Sequence, residues 1–422
     1  MPDYRKKHRS RFSMAPTPKK TKVAKKEPVM ENERETRKSS HIRVVKGKKL
    51  EQQRKTKILL GFVGIVLVLF VVLQTALPAG VFEHINNAFS LFGTGSYPVE
   101  LESSDTLNVV SRGSYYYILS DTKITAYSNS GKELFSYVHG FEKPVLKSSS
   151  TRALVFNQGG NDVLIFDLKE LKFSFTTEKP IVTAAISDSG VFGVVTDSDN
   201  YASAVSIYSK SKKMIYEWYS SEGTVNNLAI SPNGKKIAVS AFTSEVGHYD
   251  SKLNILKFDS ADAVFSKEYG GTLIYALDTY NSGGISLLTS NGFEYIKWSN
   301  YKLKKYSNEY SVSMFRSTSN ANLVVFNREN DKTDNRIAIF NSRGDLKREV
   351  EFSGILNDIQ ISRGNIYCLT DTEVFLLNDE GEILRQAESG FGGVRIAVVN
   401  TNSVAVITDN KIEKVKLEQV KK

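Results

Sequence analysis

The 422-residue sequence predicts an all-β protein, an eight-bladed β-propeller of four-stranded blades, preceded by a disordered tail and one transmembrane helix. Three observations carry this. From about Tyr97 onward, apolar residues alternate with polar ones in short runs rich in Val, Ile, Tyr and Phe, separated by Ser, Asn, Asp and Gly turns, which is the pattern of strands. These runs recur as four-strand units beginning near residues 105, 143, 180, 224, 269, 311, 354 and 392. A period close to 40 residues with four strands per unit is the propeller signature. Upstream, residues 58–77 form an uncharged apolar stretch, ILLGFVGIVLVLFVVLQTAL.

The tail, residues 1–57, holds 20 Lys and Arg against 6 Asp and Glu and has almost no apolar content, so it is expected to be disordered. Its charge fits a solvated topology signal, with contact to anionic lipid head groups as the functional alternative. Nucleic-acid binding is disfavoured, because only Tyr4 and Phe12 are available for base stacking. The rest of the chain carries 36 basic residues against 40 acidic, so the overall charge of +10 comes from the tail.

Residues 58–78 are expected to cross a membrane once. Twenty apolar residues at a helical rise of about 1.5 Å match a hydrocarbon core of about 30 Å, and Pro78 follows. The basic flank places the N-terminus in the cytoplasm and everything after the span outside. A cleaved signal peptide is disfavoured by the length of both the tail and the apolar core. In residues 79–96, Val81, Phe82, Ile85, Ala88, Phe89 and Phe92 recur at helical spacing, which predicts a short amphipathic helix before a Gly93-Thr94-Gly95-Ser96 linker.

Within the propeller, residues 97–422, the first unit supplies four strands between Leu107 and Val138. The first turn of a unit recurs as Ser111-Arg112-Gly113, Ser187-Asp188-Ser189-Gly190, Ser231-Pro232-Asn233-Gly234 and Ser362-Arg363-Gly364. Its glycines suit turn positions of positive φ. The last unit has three strands, and Tyr97–Leu101 is expected to supply the fourth, closing the ring and removing an exposed edge. If one weak unit is not a blade, the alternative is seven blades.

ISPNGKKIAVS, residues 230–240, resembles the repeats of Tol-type propellers, and YYYILSDTKITAYSNSGKELF, residues 115–135, resembles those of quinoprotein-type propellers. The arrangement of basic tail, single span and outer propeller resembles an uncharacterised family of membrane-anchored proteins from Gram-positive, clostridia-like bacteria. That resemblance implies a fold and a location, and it transfers no catalytic residues.

The residue inventory argues against several chemistries. The propeller has two histidines, His139 and His248, too few for a multi-histidine metal site. There is no G-x-S-x-G nucleophile elbow. Trp218 and Trp298 lie in strand patterns and read as packing residues rather than as a stacking cage for a quinone cofactor. TDSDN at 196–200 and NRENDKTDN at 327–335 lack the spaced Gly and terminal Glu of an EF-hand and read as solvated hairpin loops. The lone Cys368, in an apolar run, is expected to be buried. No Asn beyond the span begins an N-x-[ST] sequon, which favours a bacterial surface over a eukaryotic secretory lumen.

The second-to-third-strand loops differ in length. They are short in units one, five, seven and eight, but longer in units three, four and six, at 196–203, 242–251 and 327–336. One-sided loop growth on a repeat array commonly builds a binding surface. Tyr201, Phe242, His248 and Tyr249 are therefore the candidate binding residues, with an envelope protein or a wall glycan as partner, and no cofactor or metal is expected. The alternative reading is an extracytoplasmic carbohydrate-active enzyme or ligand sensor that uses the propeller channel.

Overall fold

The structure is a computed structural model that describes residues 55–65, 91, 93–102, 105–245, 247–260, 262–279 and 283–420. The disordered tail predicted for 1–57 and the amphipathic helix predicted for 79–96 fall largely outside these residues. So does the second half of the predicted span. Its first part is described: residues 55–65 are helical, and Ile58, Leu59, Leu60, Phe62, Val63 and Ile65 are all exposed. Among the described residues, no helix is long and apolar enough to cross a membrane.

Residues 99–419 form eight antiparallel sheets, one for each predicted unit. The blades run from Thr106 to Val138, Pro144 to Thr176, Ile181 to Ser220, Thr224 to Tyr269, Ile274 to Ser307, Ser311 to Ser353, Asp358 to Glu388 and Arg395 to Lys416. They are numbered 1 to 8 below, and strands within a blade are counted from the innermost outward.

The core is divided among the blade interfaces. Eight hydrophobic clusters each combine residues of two neighbouring blades, from blades 1 and 2 round to blades 8 and 1. Strand periodicity explains this. In Ala153–Asn157 of blade 2, Ala153 and Val155 pack toward blade 1, whereas Leu154 and Phe156 pack toward blade 3. Both faces of a middle strand are thus buried, so it reads as a continuous apolar run. An outer strand such as Leu171–Thr176 alternates between half-buried and exposed positions.

Ring closure follows the predicted segment. Val99 pairs with Ile412 and Glu100 with Lys411, so Val99–Glu100 becomes the outer strand of blade 8. The hydroxyls of Tyr97 and Tyr116 lie 3.1 Å apart, tying the same segment to blade 1. Gly95, expected as part of a linker, is instead packed on the third turn of blade 1, where a Cβ would lie 2.0 Å from the Lys132 amide nitrogen. One feature was not foreseen: Glu418–Gln419 leaves blade 8 and adds a fifth strand to blade 7, with Arg385 opposite Gln419.

Because strands alternate in direction, each blade sends its first and third turns to one face of the ring. Its central hairpin and its link to the next blade emerge on the other. We call these the turn face and the hairpin face. The chain enters the propeller on the turn face, where the Gly95 amide donates to Ser130 Oγ at 3.2 Å.

Candidate functional site

The hairpin face is built unevenly. In blade 4 the middle strands Lys236–Glu245 and His248–Lys257 stay paired out to Glu245 opposite His248. In blade 6, Ala321–Arg328 and Asp331–Asn341 stay paired out to Arg328 opposite Asp331. The segments expected as loops at 242–251 and 327–336 are therefore extensions of the ladder, the second closed by the two-residue turn 329–330. Polar side chains such as Thr243, Asp250, Lys332 and Thr333 sit on strands here because a two-stranded ribbon beyond the blade is solvated on both sides. Of the three long segments, that of blade 3 keeps an irregular connection, 197–202, between its second and third strands.

The four candidate residues do not form one patch. Tyr249 is 50% exposed and lies opposite Ser244, while Phe242 lies opposite Ser251, so Tyr249 and Phe242 project from the same side of the ribbon. His248 is next to Tyr249 in the chain and therefore points to the other side. Phe242 is half-buried, and Tyr201, 48% exposed, packs in a tilted arrangement against Tyr219 of its own blade with ring centroids 4.8 Å apart.

Other apolar side chains on this face were missed. Phe391, in the link between blades 7 and 8, is 88% exposed between Gly390 and Gly392, both of positive φ. Val138, Tyr275 and Ile355 are also exposed at hairpin-face ends of strands or in links. Tyr275 is pushed out by register: the inner strand of blade 5 carries an extra residue between Ile274 and Ala276. Equivalent irregularities occur on the inner strands of blades 1, 3, 4 and 6, at Leu107, Val182, Asn226 and Ser313. The Gly-Phe-Gly sequence around residue 391, an aromatic in a turn rather than in an alternating run, was the legible signal.

The inner strands enclose a channel of ≈ 690 Å³ whose charged lining is Arg112, Lys147, Asp188, Asp278, Arg316 and Arg363. Most of these groups serve the fold. Arg112 donates to the carbonyls of Ser111, at 3.0 Å, and of Ser148 and Ser149, both at 3.3 Å. The Asp188 carboxylate accepts from the Ser150 amide at 2.7 Å, linking blades 3 and 2. Arg316 pairs with the fully buried Asp358. Burial lowers the pKa of Lys147 from the ordinary lysine value, and the carboxylate of Asp278 opposes that shift.

Among the described residues no group of three or more His, Cys, Asp and Glu side chains is placed to hold a metal ion. Glu294 is buried but neutralised: Lys267 lies 3.1 Å away and the Tyr269 hydroxyl donates to it at 2.7 Å. Trp298 is buried in the cluster between blades 4 and 5, Trp218 packs against that of blades 3 and 4, and Cys368 is fully buried.

No curated protein matches the chain in sequence. Solved structures similar in fold include BamB from Moraxella catarrhalis, at 11% identity and a TM-score of 0.47, covering 76% of this chain and 99% of that one. The Cps50 (Swd1) β-propeller domain of Myceliophteria thermophila is similar at 10% identity and 0.45, covering 76% and 100%. Hydrazine synthase of Kuenenia stuttgartiensis is similar at 12% identity and 0.43, covering 77% and 99%. A family model matches residues 95–417, the whole ring with its closing strand, and the chain belongs to that family, DUF5711, described as a family of unknown function.

Proposed function

We propose that this protein is a single-pass membrane protein, N-terminus in the cytoplasm, that presents its propeller outside the cell as a non-catalytic binding module for an envelope protein or a wall glycan. The observation that carries the binding surface is the hairpin face. Two strand ribbons extend beyond the blades there, exposed Tyr201, Tyr249, Tyr275 and Phe391 accompany them, and the chain enters from the opposite face. Exposed aromatics supply contact area at low entropic cost and are enriched at binding sites. Support for the anchor is the helix at 55–65, whose large apolar side chains are exposed in the way that a bilayer covers.

The test is crosslinking of the full-length protein in intact cells, comparing it with a variant carrying Ala at Tyr201, Tyr249, Tyr275 and Phe391. Enrichment of a defined envelope component by the parent and its loss in the variant is the expected result. Equal enrichment by both moves the binding surface elsewhere.

A second reading is favoured by the channel, whose volume suits a small polar ligand and whose Lys147 is held where burial disfavours its charge. A ligand that protects Lys147 from acylation would select it.

A further inference from the structure

The propeller's near-neutral sequence hides a separation of charge between its two faces. On the turn face, Lys210 and Lys213 of blade 3, Lys235 of blade 4, Lys302 of blade 5 and Arg343 and Lys347 of blade 6 are exposed, and among the described residues none of the six makes an ion pair. Among the described residues of these turns, the acidic groups that interrupt them are exposed Asp259 and Asp262 of blade 4, Asp345, paired with Lys304, and half-buried Asp188, which accepts from the Ser150 amide. The hairpin face is mainly acidic: it exposes Glu142, Asp197, Glu309, Glu329, Asp371 and Asp409, against Lys143 and Lys332, which make no ion pair among the described residues. The basic groups form a crescent over four consecutive blades, and it ends at the acidic third turn of blade 7, with Asp379, Glu380 and Glu382.

We propose that this basic crescent docks on an anionic phospholipid surface. Its placement favours a membrane over a soluble polyanion. The chain enters on the same face at blades 8 and 1, and blades 4 and 5 lie diametrically across an eight-membered ring from that point. A propeller held at its entry point and at the crescent lies flat on the lipid, with its acidic hairpin face turned outward. The flat geometry rests on the anchoring proposed above, whereas the lipid affinity of the crescent does not. Lys and Arg close to an anionic surface are attracted individually and additively, and salt screens them.

The test uses the full chain, whose only cysteine, Cys368, is buried. A fluorophore is placed at Asn320→Cys, in the first turn of blade 6, or at Glu329→Cys, in the blade 6 hairpin. Each protein is reconstituted into phosphatidylcholine nanodiscs with or without phosphatidylglycerol, with a quencher on the lipid head group. Quenching at position 320 is expected to rise about threefold with phosphatidylglycerol and to lose that gain in about 0.5 M salt. The gain is also lost when the six basic residues are replaced by Gln, while position 329 shows none.

Equal quenching in both lipids, or a gain that survives the six Gln replacements, overturns the proposal. Displacement of the face from phosphatidylglycerol by a stoichiometric single-stranded oligonucleotide also overturns it, in favour of nucleic acid. Release of the chain by alkaline extraction counts against the anchor instead. Quenching by added phosphatidylglycerol vesicles then tests the crescent alone, with the same expected and overturning results.

Discussion

The carboxylate of Asp358, fully buried on the innermost strand of blade 7, is paired with the guanidinium of Arg316 on the innermost strand of blade 6. The same carboxylate accepts from the backbone amide of Ile396 in blade 8 at 3.0 Å, so one side chain joins three blades around the channel. A carboxylate buried between blades and spent on blade-to-blade bonds has a structural role.

Replacing Asp358 by Ala leaves Arg316 without its partner and is expected to destabilise the propeller by about 3–5 kcal/mol. The double variant Asp358→Ala, Arg316→Ala is expected to be less destabilised than the two single effects combined. Denaturant unfolding of the four proteins checks both statements.

The entry of the chain is sterically demanding. A Cβ at Gly95 would sit 2.0 Å from the Lys132 amide nitrogen and 2.3 Å from the carbonyl carbon of Gly131, and backbone is not free to yield. Gly95→Ala is expected to cost about 1–3 kcal/mol and to expose the segment before Val99 to limited proteolysis. Unchanged cleavage would show that the segment is not docked.

His139 links stability to pH. Its Nδ1 accepts from the Phe141 amide at 3.0 Å, so the proton is on Nε2, which donates to the Ser120 carbonyl at 3.1 Å, and the ring is neutral. Burial lowers its pKa from 6.5, partly offset by the Ser120 carbonyl and Asp121. A histidine with a lowered folded-state pKa takes up its proton more readily when unfolded. Its contribution is intact above 6.5, falls as pH drops through 6.5 and levels off below the folded-state value. His139→Gln should flatten the dependence of Tm on pH across that window.

Cys368 is fully buried, and burial, followed by the charge of Asp358, pushes its thiol pKa far above the ordinary range. An aromatic disulfide reagent should leave it unmodified in the native protein at neutral pH and react with one equivalent in denaturant. Fast native labelling would mean that the interface between blades 6 and 7 opens readily.

Phe391 is 88% exposed and makes no ring contact among the described residues. Phe391→Ser is expected to change stability by less than about 0.5 kcal/mol while weakening capture of the partner. A large loss of stability would assign it to the fold instead.

Blade number, unit boundaries and the closing segment at Tyr97–Leu101 were legible in the sequence because each is local. Four short runs, four turns and a repeat near 40 residues leave a closed ring as the way to cover every strand edge. That Leu154 and Val155 face different neighbouring blades emerged only from the fold, because the alternation sought in the sequence assumes one buried face. What the sequence could not express was direction. His248 and Tyr249 are neighbours in the chain and part company on a pleated ribbon, because successive side chains point oppositely. Phe391 escaped notice because no alternation surrounds it, and Tyr275 because a single extra residue on its strand turned it outward.

Charge shows the same division most clearly. Along the chain, Lys210, Asp250, Lys302 and Glu329 follow one another without evident order, and residues 58–422 come close to neutrality. The composition and repeat determined a ring of eight blades. Only the folded ring, which sends successive turns of each blade to opposite faces, gathers Lys210, Lys302 and their neighbours into a basic crescent on one face and leaves a mainly acidic set, Glu329 among it, on the other.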